Sequence, residues 1–300
     1  MQVKTINRVI SEKLKEWLLS IRDLSLREKV KENILVSGGC ITSLFQGVPV
    51  NDFDIYIQDM DVLVALAEYY CPGKVLDGRK REEYLNSIMS AYEIDDNMSM
   101  MAVRYKTLKE DQVKLNIFST GEKKQLVKDI AGTPIKYQVA FLSQNAISLT
   151  DDIQIVLRFS GDVEKIHSTF DFIHATNYFT FAGGLTTNIE ALQSIITKTL
   201  RYQGSLYPLT SVIRMKKFIQ RGWTVNAGEI LKMLFQVSEL DLKDILVLEE
   251  QLIGVDVAYF AKLIEVLKDY KRDQITNSML ATLIDEVFNQ YEEEDPNLIQ

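Results

Sequence analysis

Cysteine, histidine and proline are scarce in this chain: two, two and five respectively among 300 residues. Cys40 and Cys71 cannot build a disulfide framework or a zinc knuckle, and their free thiols fit a reducing compartment. Positive charge is also short, with 34 Lys and Arg against 42 Asp and Glu and a net charge of -8. That balance excludes a protein that wraps long nucleic acid, so any such contact must be local. Long apolar runs are missing as well. No stretch approaches the roughly 18 residues of a membrane span, and the opening "MQVKTINRVISEKLKEW" has no unbroken apolar segment of the kind a signal peptide needs. The expectation is a cytoplasmic protein with no membrane partner. There is no internal repeat, no low-complexity tract, no G-x-x-x-x-G-K-[ST] loop and no G-x-G-x-x-G.

What is present is the material of a globular fold: 46% of residues are hydrophobic and 25% charged. The length suits two domains or one large one. Apolar residues Val9, Ile10, Leu14, Trp17, Leu18 and Ile21 recur at helical spacing and predict a helix over 6–33. "ILVSGG" reads as a short buried strand stopped by glycines, "CITSLFQG" as two helical turns ended by Gly47, "DFDIYIQ" as a strand and "MDVLVALAEYY" as a helix before the turn "CPGK". "MMAVRYKTL" and "QVKLNIFST" predict weaker strands around a tip at "KEDQ". "KYQVAFLSQNAISL" and "DDIQIVLRF" predict strands separated by a polar turn, "DVEKIHSTF" a short helix and "FDFIHATNYFTF" a strand. From Asn188 onward, helical periods replace β-branched alternation, through "IEALQSIITKTLRYQG", "LTSVIRMKKFIQRG", "AGEILKMLFQVS", "VAYFAKLIEVLKDY" and "NSMLATLIDEVFNQY". The fold class expected is α+β: a mixed sheet flanked by helices over 1–184, then an all-helical domain over 185–300.

The chemistry concentrates between Ser37 and Ile57. In a strand, residues i and i+2 point the same way, so Asp52 and Asp54 project together with Phe53 opposite. Two carboxylates on one side repel unless a cation lies between them, and hard oxygen donors at this spacing suit Mg2+ or Mn2+. Gly38 and Gly39 follow a strand and open a helix, where backbone N–H groups can face an anion, and Ser37 adds a hydroxyl. A phosphate cradle facing a divalent-metal site is the equipment of phosphoryl or nucleotidyl transfer. A Gly-Gly taken alone is usually a turn and a D-x-D alone a surface loop. Their order here is what makes the signal specific.

That order resembles the DNA polymerase β-like nucleotidyltransferase superfamily: a Gly-Gly at a helix start, a short helix, then h-D-x-D-h on a strand. The resemblance implies a third carboxylate on a later, neighbouring strand. Asp111, Asp151, Asp152 and Asp171 are available. The first three sit in predicted turns, and Asp171, between Phe170 and Phe172, is the choice. The wider run from "SQNAISLTDDIQIVLRF" to "YPLTSVIRMKKFIQRGW" is similar to predicted nucleotidyltransferases of large tailed bacteriophages and some bacteria, over roughly residues 30–225. The resemblance implies a template-independent enzyme in which Asp52, Asp54 and Asp171 hold two Mg2+ or Mn2+ ions and an NTP is the substrate. It leaves the acceptor open among an RNA 3′ end, a protein, a small molecule and another nucleotide. For a phage-encoded protein the implied location is the bacterial host cytoplasm.

Arg214, Lys217 and Arg221 share one helical face, and Lys198 and Arg201 precede them across "YQGSLYP". They read either as a solvated face or as a clamp on phosphates. The resemblance implies a basic residue from the helical part at the triphosphate, for which Lys198 is taken. Tyr207 is a candidate for base stacking and Tyr202 its alternative, against the commoner reading of both as core. His167 and His174 read as core or supporting groups, and Cys40 as a packing residue. The expected activity is transfer of an NMP from an NTP to an acceptor hydroxyl, with an RNA 3′ end as the first choice of acceptor. The alternative is a non-catalytic binding protein that keeps the fold.

Overall fold

The computed structural model describes residues 2–77, 115–117, 135–143, 145–251, 266–267, 270 and 274–294. The predicted strand 100–108, Asp111 and the helix predicted over 257–270 lie outside the described residues or nearly so. The chain divides into two units, one of residues 1–168 with 175–189, the other of residues 169–174 with 190–300.

The first unit opens with α1 (Val3–Ser20) and α2 (Leu24–Asn33). The single helix expected over 6–33 is broken because Asp23 caps a new one, its carboxylate accepting from the Leu26 N–H. β1 (Ile34–Ser37), α3 (Gly39–Gln46), β2 (Phe53–Ile57) and α4 (Met60–Tyr70) follow as the sequence predicts. Gly47 ends α3 in the left-handed conformation, with φ 70°. β3 (Val75–Asp77) pairs antiparallel with β4 (Leu115–Ile117) in a separate two-stranded ladder. Then come β5 (Val139–Leu142), β6 (Ala146–Leu149), β7 (Ile153–Val156), α5 (Val163–His167), β8 (Tyr178–Thr180) and β9 (Gly184–Thr186).

The main sheet has seven strands in the order β5-β6-β7-β2-β1-β8-β9. All its pairings are antiparallel except β2 with β7, which makes the sheet mixed. Phe53, Ile55 and Ile57 of β2 join Ile10, Leu14 and Trp17 of α1 and Leu63 and Leu66 of α4 in one core. Trp17 Nε1 donates to the Tyr70 hydroxyl at 2.9 Å, so the polar tips of two large core rings satisfy each other. Asp54 and Tyr56 alternate to the other face of β2. Helix-side burial therefore fixes which face of the strand carries the Asp54 carboxylate.

The second unit contains α6 (Ile189–Thr197, whose first residue belongs to the first unit), β10 (Thr199–Leu200), α7 (Pro208–Gln220), β11 (Thr224–Val225), α8 (Ala227–Ser238), α9 (Ile245–Gln251) and α10 (Asn277–Glu294). Among the described residues it is helical apart from the parallel β10–β11 pair, which the sequence reading missed. The stretch "FDFIHATNYFTF" is not one strand. It is a bend at Asp171, a 3-10 turn over Ile173–Ala175 and then β8. The boundary expected at 184/185 also shifts, because β9 completes the sheet of the first unit.

Candidate active site

β1 ends at Ser37 and its antiparallel register with β2, Val36 opposite Ile55, carries Asp54 across from Ser37. Gly38 then turns the chain with φ +93°, a conformation only glycine adopts without strain. A Cβ added there would lie 3.2 Å from Asp54 Oδ2. The absent side chain thus lets the backbone close on the carboxylate. A Cβ at Gly39 would meet nothing within 4 Å, so α3 opens onto free space at that residue, while Cys40, Ile41 and Thr42 after it are buried. The Gly38 N–H is committed to the Ala175 carbonyl at 3.0 Å.

Both carboxylates lie near this helix start. The Cys40 thiol is pushed up from its ordinary range by burial first and then by the negative charges of Asp54 and Asp52. Cys40 is therefore an inert packing residue, as the sequence reading holds. Asp52 is itself raised above the usual carboxylate range, by burial first and by the charge of Asp152 second. Asp152 heads β7, the parallel neighbour of β2, and its carbonyl accepts from the Phe53 N–H at 2.8 Å. The Asp152 carboxylate is largely exposed and lies 3.9 Å from Lys13 Nζ. Gln154 pairs with Asp54 in the same ladder. The strand beside the D-x-D thus brings a carboxylate next to Asp52 and an amide next to Asp54. Sequence reasoning passed over Asp152 as a turn residue. It is one, with φ 57°, yet strand pairing still sets it beside Asp52.

Ser37 is not turned toward a ligand. Its hydroxyl is fully buried, within 3.0 Å of the Ala175 carbonyl, 2.8 Å of the Asn177 carbonyl and 2.9 Å of His167 Nε2.

The remaining predicted residues belong to the second unit. Asp171, 8% exposed, accepts from Arg214 Nη1 at 2.9 Å. Its backbone carbonyl accepts from Gln203 N–H, alongside an isolated bridge between Phe172 and Tyr202. The reason for choosing Asp171, a place in a strand beside the D-x-D, is therefore removed. Arg201 lies 3.8 Å from Glu190, so like Arg214 it faces a carboxylate. Lys198 is exposed in a left-handed conformation after α6, φ 48°. Lys217 lines an apolar cavity of about 670 Å³ with Leu209, Ile213 and Leu280. Arg221 caps the C-terminus of α7. Tyr207 is buried at the N-cap of α7, and the Tyr202 hydroxyl donates to Gln236, so both tyrosines are built into the fold. His174 is buried with its ring 4.6 Å from that of Phe218 and 4.8 Å from that of Trp223. Burial pulls it down to about 4, partly offset by the Asp171 charge.

Residues 8–198, more than half of the chain, match the family described as Gabija anti-defense 2. The chain belongs to that family. "Gabija anti-defense 2" of Bacillus phage SPbetaL7 is 22% identical over 247 residues, which is 81% of this chain and 47% of that protein. The family member described here thus spans about half the length of that curated relative. Solved structures with a distant likeness include a Thermotoga maritima CCA-adding enzyme complexed with tRNA, 13% identical, covering 94% of this chain and 62% of that one at a TM-score of 0.38. Another is a Bacillus stearothermophilus CCA-adding enzyme in complex with CTP, 11% identical, covering 80% and 50% at a TM-score of 0.35.

Proposed function

We propose that this protein is a metal-dependent nucleotidyltransferase that modifies a component of the Gabija defence. The observation that carries the chemistry is the close approach of Asp54 Oδ2 to Gly38, 3.2 Å from where a Cβ would lie, beside open space at Gly39. The family description motivates the target. Asp52 and Asp54 fit a divalent cation. They are hard oxygen donors, and burial first and the Asp152 charge second disfavour the charged form of Asp52, a bias that a bound cation would offset. Among the described residues no group of three ligating side chains occurs. The pair would therefore share the ion with phosphate oxygens and water, as Mg2+ commonly allows. Bound there, the Mg2+ or Mn2+ ions, two in this reading, would neutralise triphosphate charge and make the acceptor hydroxyl easier to deprotonate.

The chain's own work is positioning. Amides of the first turn of α3 face the phosphates. The acceptor oxygen attacks the α-phosphorus in line, the bond to the bridging oxygen of the β-phosphate breaks, pyrophosphate leaves and the hydroxyl proton passes to water. A protein acceptor suits a chain of net charge -8 whose Arg201 and Arg214 already face carboxylates. An RNA 3′ end is the second reading, favoured by the exposed Lys198 and Arg221. The test is incubation with each α-labelled NTP, in Mg2+ and in Mn2+, with host lysate containing or lacking the Gabija proteins. Label on a protein band that requires Gabija supports the proposal, and label in the RNA fraction supports the second reading. Absence of label throughout, with Asp54→Asn blocking the defence as well as the unmodified chain, would remove nucleotidyl transfer.

A further inference from the structure

The Ser37 hydroxyl has one proton and three close polar neighbours. Two are carbonyl oxygens, Ala175 at 3.0 Å and Asn177 at 2.8 Å, which only accept. With the serine proton on one of them, the third contact, His167 Nε2 at 2.9 Å, is an N–H donating to Oγ. In that arrangement His167 carries a proton on Nε2. The next residue, Gly38, donates its N–H to the same Ala175 carbonyl at 3.0 Å. Ser37 also pairs with Tyr178 in the β1–β8 ladder, and the His167 ring stands edge-on to Tyr178 at 5.7 Å. His167 and Ala175 bracket residues 169–174, the segment that leaves the first unit and returns to it. One buried hydroxyl therefore ties both ends of that excursion to the corner where Gly38 closes on Asp54.

We infer that Ser37 and His167 are positioning residues: their clasp holds the Gly38 corner, and with it the first amides of α3, at the distance from Asp54 that triphosphate binding needs. The inference rests on the nucleotidyl-transfer reading for its consequence, but its structural content is measurable without activity. An amide donor aimed at a phosphate contributes only while it is held in place, and a buried three-partner hydroxyl is costly to leave half satisfied. The clasp also explains why a serine stands where a phosphate-facing hydroxyl was expected.

The experiment uses the full chain. Because His167 and His174 are the only histidines, a long-range 15N spectrum of the rings is simple to assign with His174→Phe as reference. His167 is expected as the Nε2–H tautomer. Ser37→Ala and His167→Phe are expected to speed amide exchange in the peptide 38–46 by about tenfold or more, with exchange in β2 and β6 little changed. Their kcat for labelled NTP should drop by about tenfold or more while KM for the acceptor holds, and His167→Gln, which keeps an N–H donor, should recover most of both. An Nδ1–H tautomer, or unchanged exchange in both variants, overturns the clasp. So does a His167→Gln variant as impaired as His167→Phe. Should the unmodified chain transfer no nucleotide, the functional proposal fails, and the ring spectrum and exchange rates still decide whether the clasp exists.

Discussion

A valine at position 39 tests the phosphate reading without touching the core. The Cβ position of Gly39 meets nothing within 4 Å, and its backbone needs no positive φ. Gly39→Val should change stability by no more than about 1 kcal/mol and weaken NTP binding about a hundredfold, since it fills the space the phosphates would use. Thermal melts and nucleotide titration check this, and normal NTP affinity would place the phosphates elsewhere. Gly38→Ala is the contrast. With φ +93° and Asp54 Oδ2 at 3.2 Å, it should cost on the order of 1–3 kcal/mol through strain alone. Asp52 offers a second test. Its folded-state pKa is raised, so the folded state binds more protons than the unfolded one and stability falls as pH rises above the ordinary value of 3.8. At pH 7 the charged Asp52 is therefore a liability. Asp52→Asn should raise the Tm of the metal-free protein while abolishing the further rise that Mg2+ brings to the unmodified chain. A metal-induced shift that survives the substitution would remove Asp52 from the site.

Elements were legible where their signals are local. The run β1, Gly-Gly, α3, β2 follows from apolar runs, glycine stops and alternation over a few residues, and it forms as expected. The single helix over 6–33 fails because a cap at Asp23 outweighs continued periodicity. The strand expected around Asp171 fails because Phe172 and His174 are buried among the rings of Phe218 and Trp223 within the second unit, not along a sheet. Aromatic alternation marks burial and does not specify what buries it. The Asp171–Arg214 pair follows from that packing and is itself testable. Arg214→Ala leaves a buried carboxylate without its cation and should destabilise by about 1–3 kcal/mol. Asp171→Asn should cost less, and the double variant less than the sum. Strictly additive effects in urea unfolding would mean the pair is not coupled, freeing Asp171 for another partner.

At the scale of the whole chain, acid should weaken both units. Burial depresses His167 and His174 to about 4 from 6.5, so between those values the unfolded chain binds more protons than the folded one. Stability should be fully present above about pH 6.5 and decline as pH falls toward 4. Urea midpoints at pH 7.5, 6 and 5 check this. His174→Phe should flatten the decline, and an unchanged slope would count against buried neutral histidines. The sequence by itself determined the composition class, the glycine corner, Asp54 on the face of its strand opposite the helix-side core and the helical character of the described second half, because each depends on residues a few positions apart. Only the tertiary structure decided that β7 lies beside β2, bringing Asp152 next to Asp52 and Gln154 next to Asp54. It alone turned the Ser37 hydroxyl inward onto His167, and joined Asp171 to Arg214. Those outcomes hang on which distant surfaces meet, and a polar side chain carries no local mark of the partner it will find.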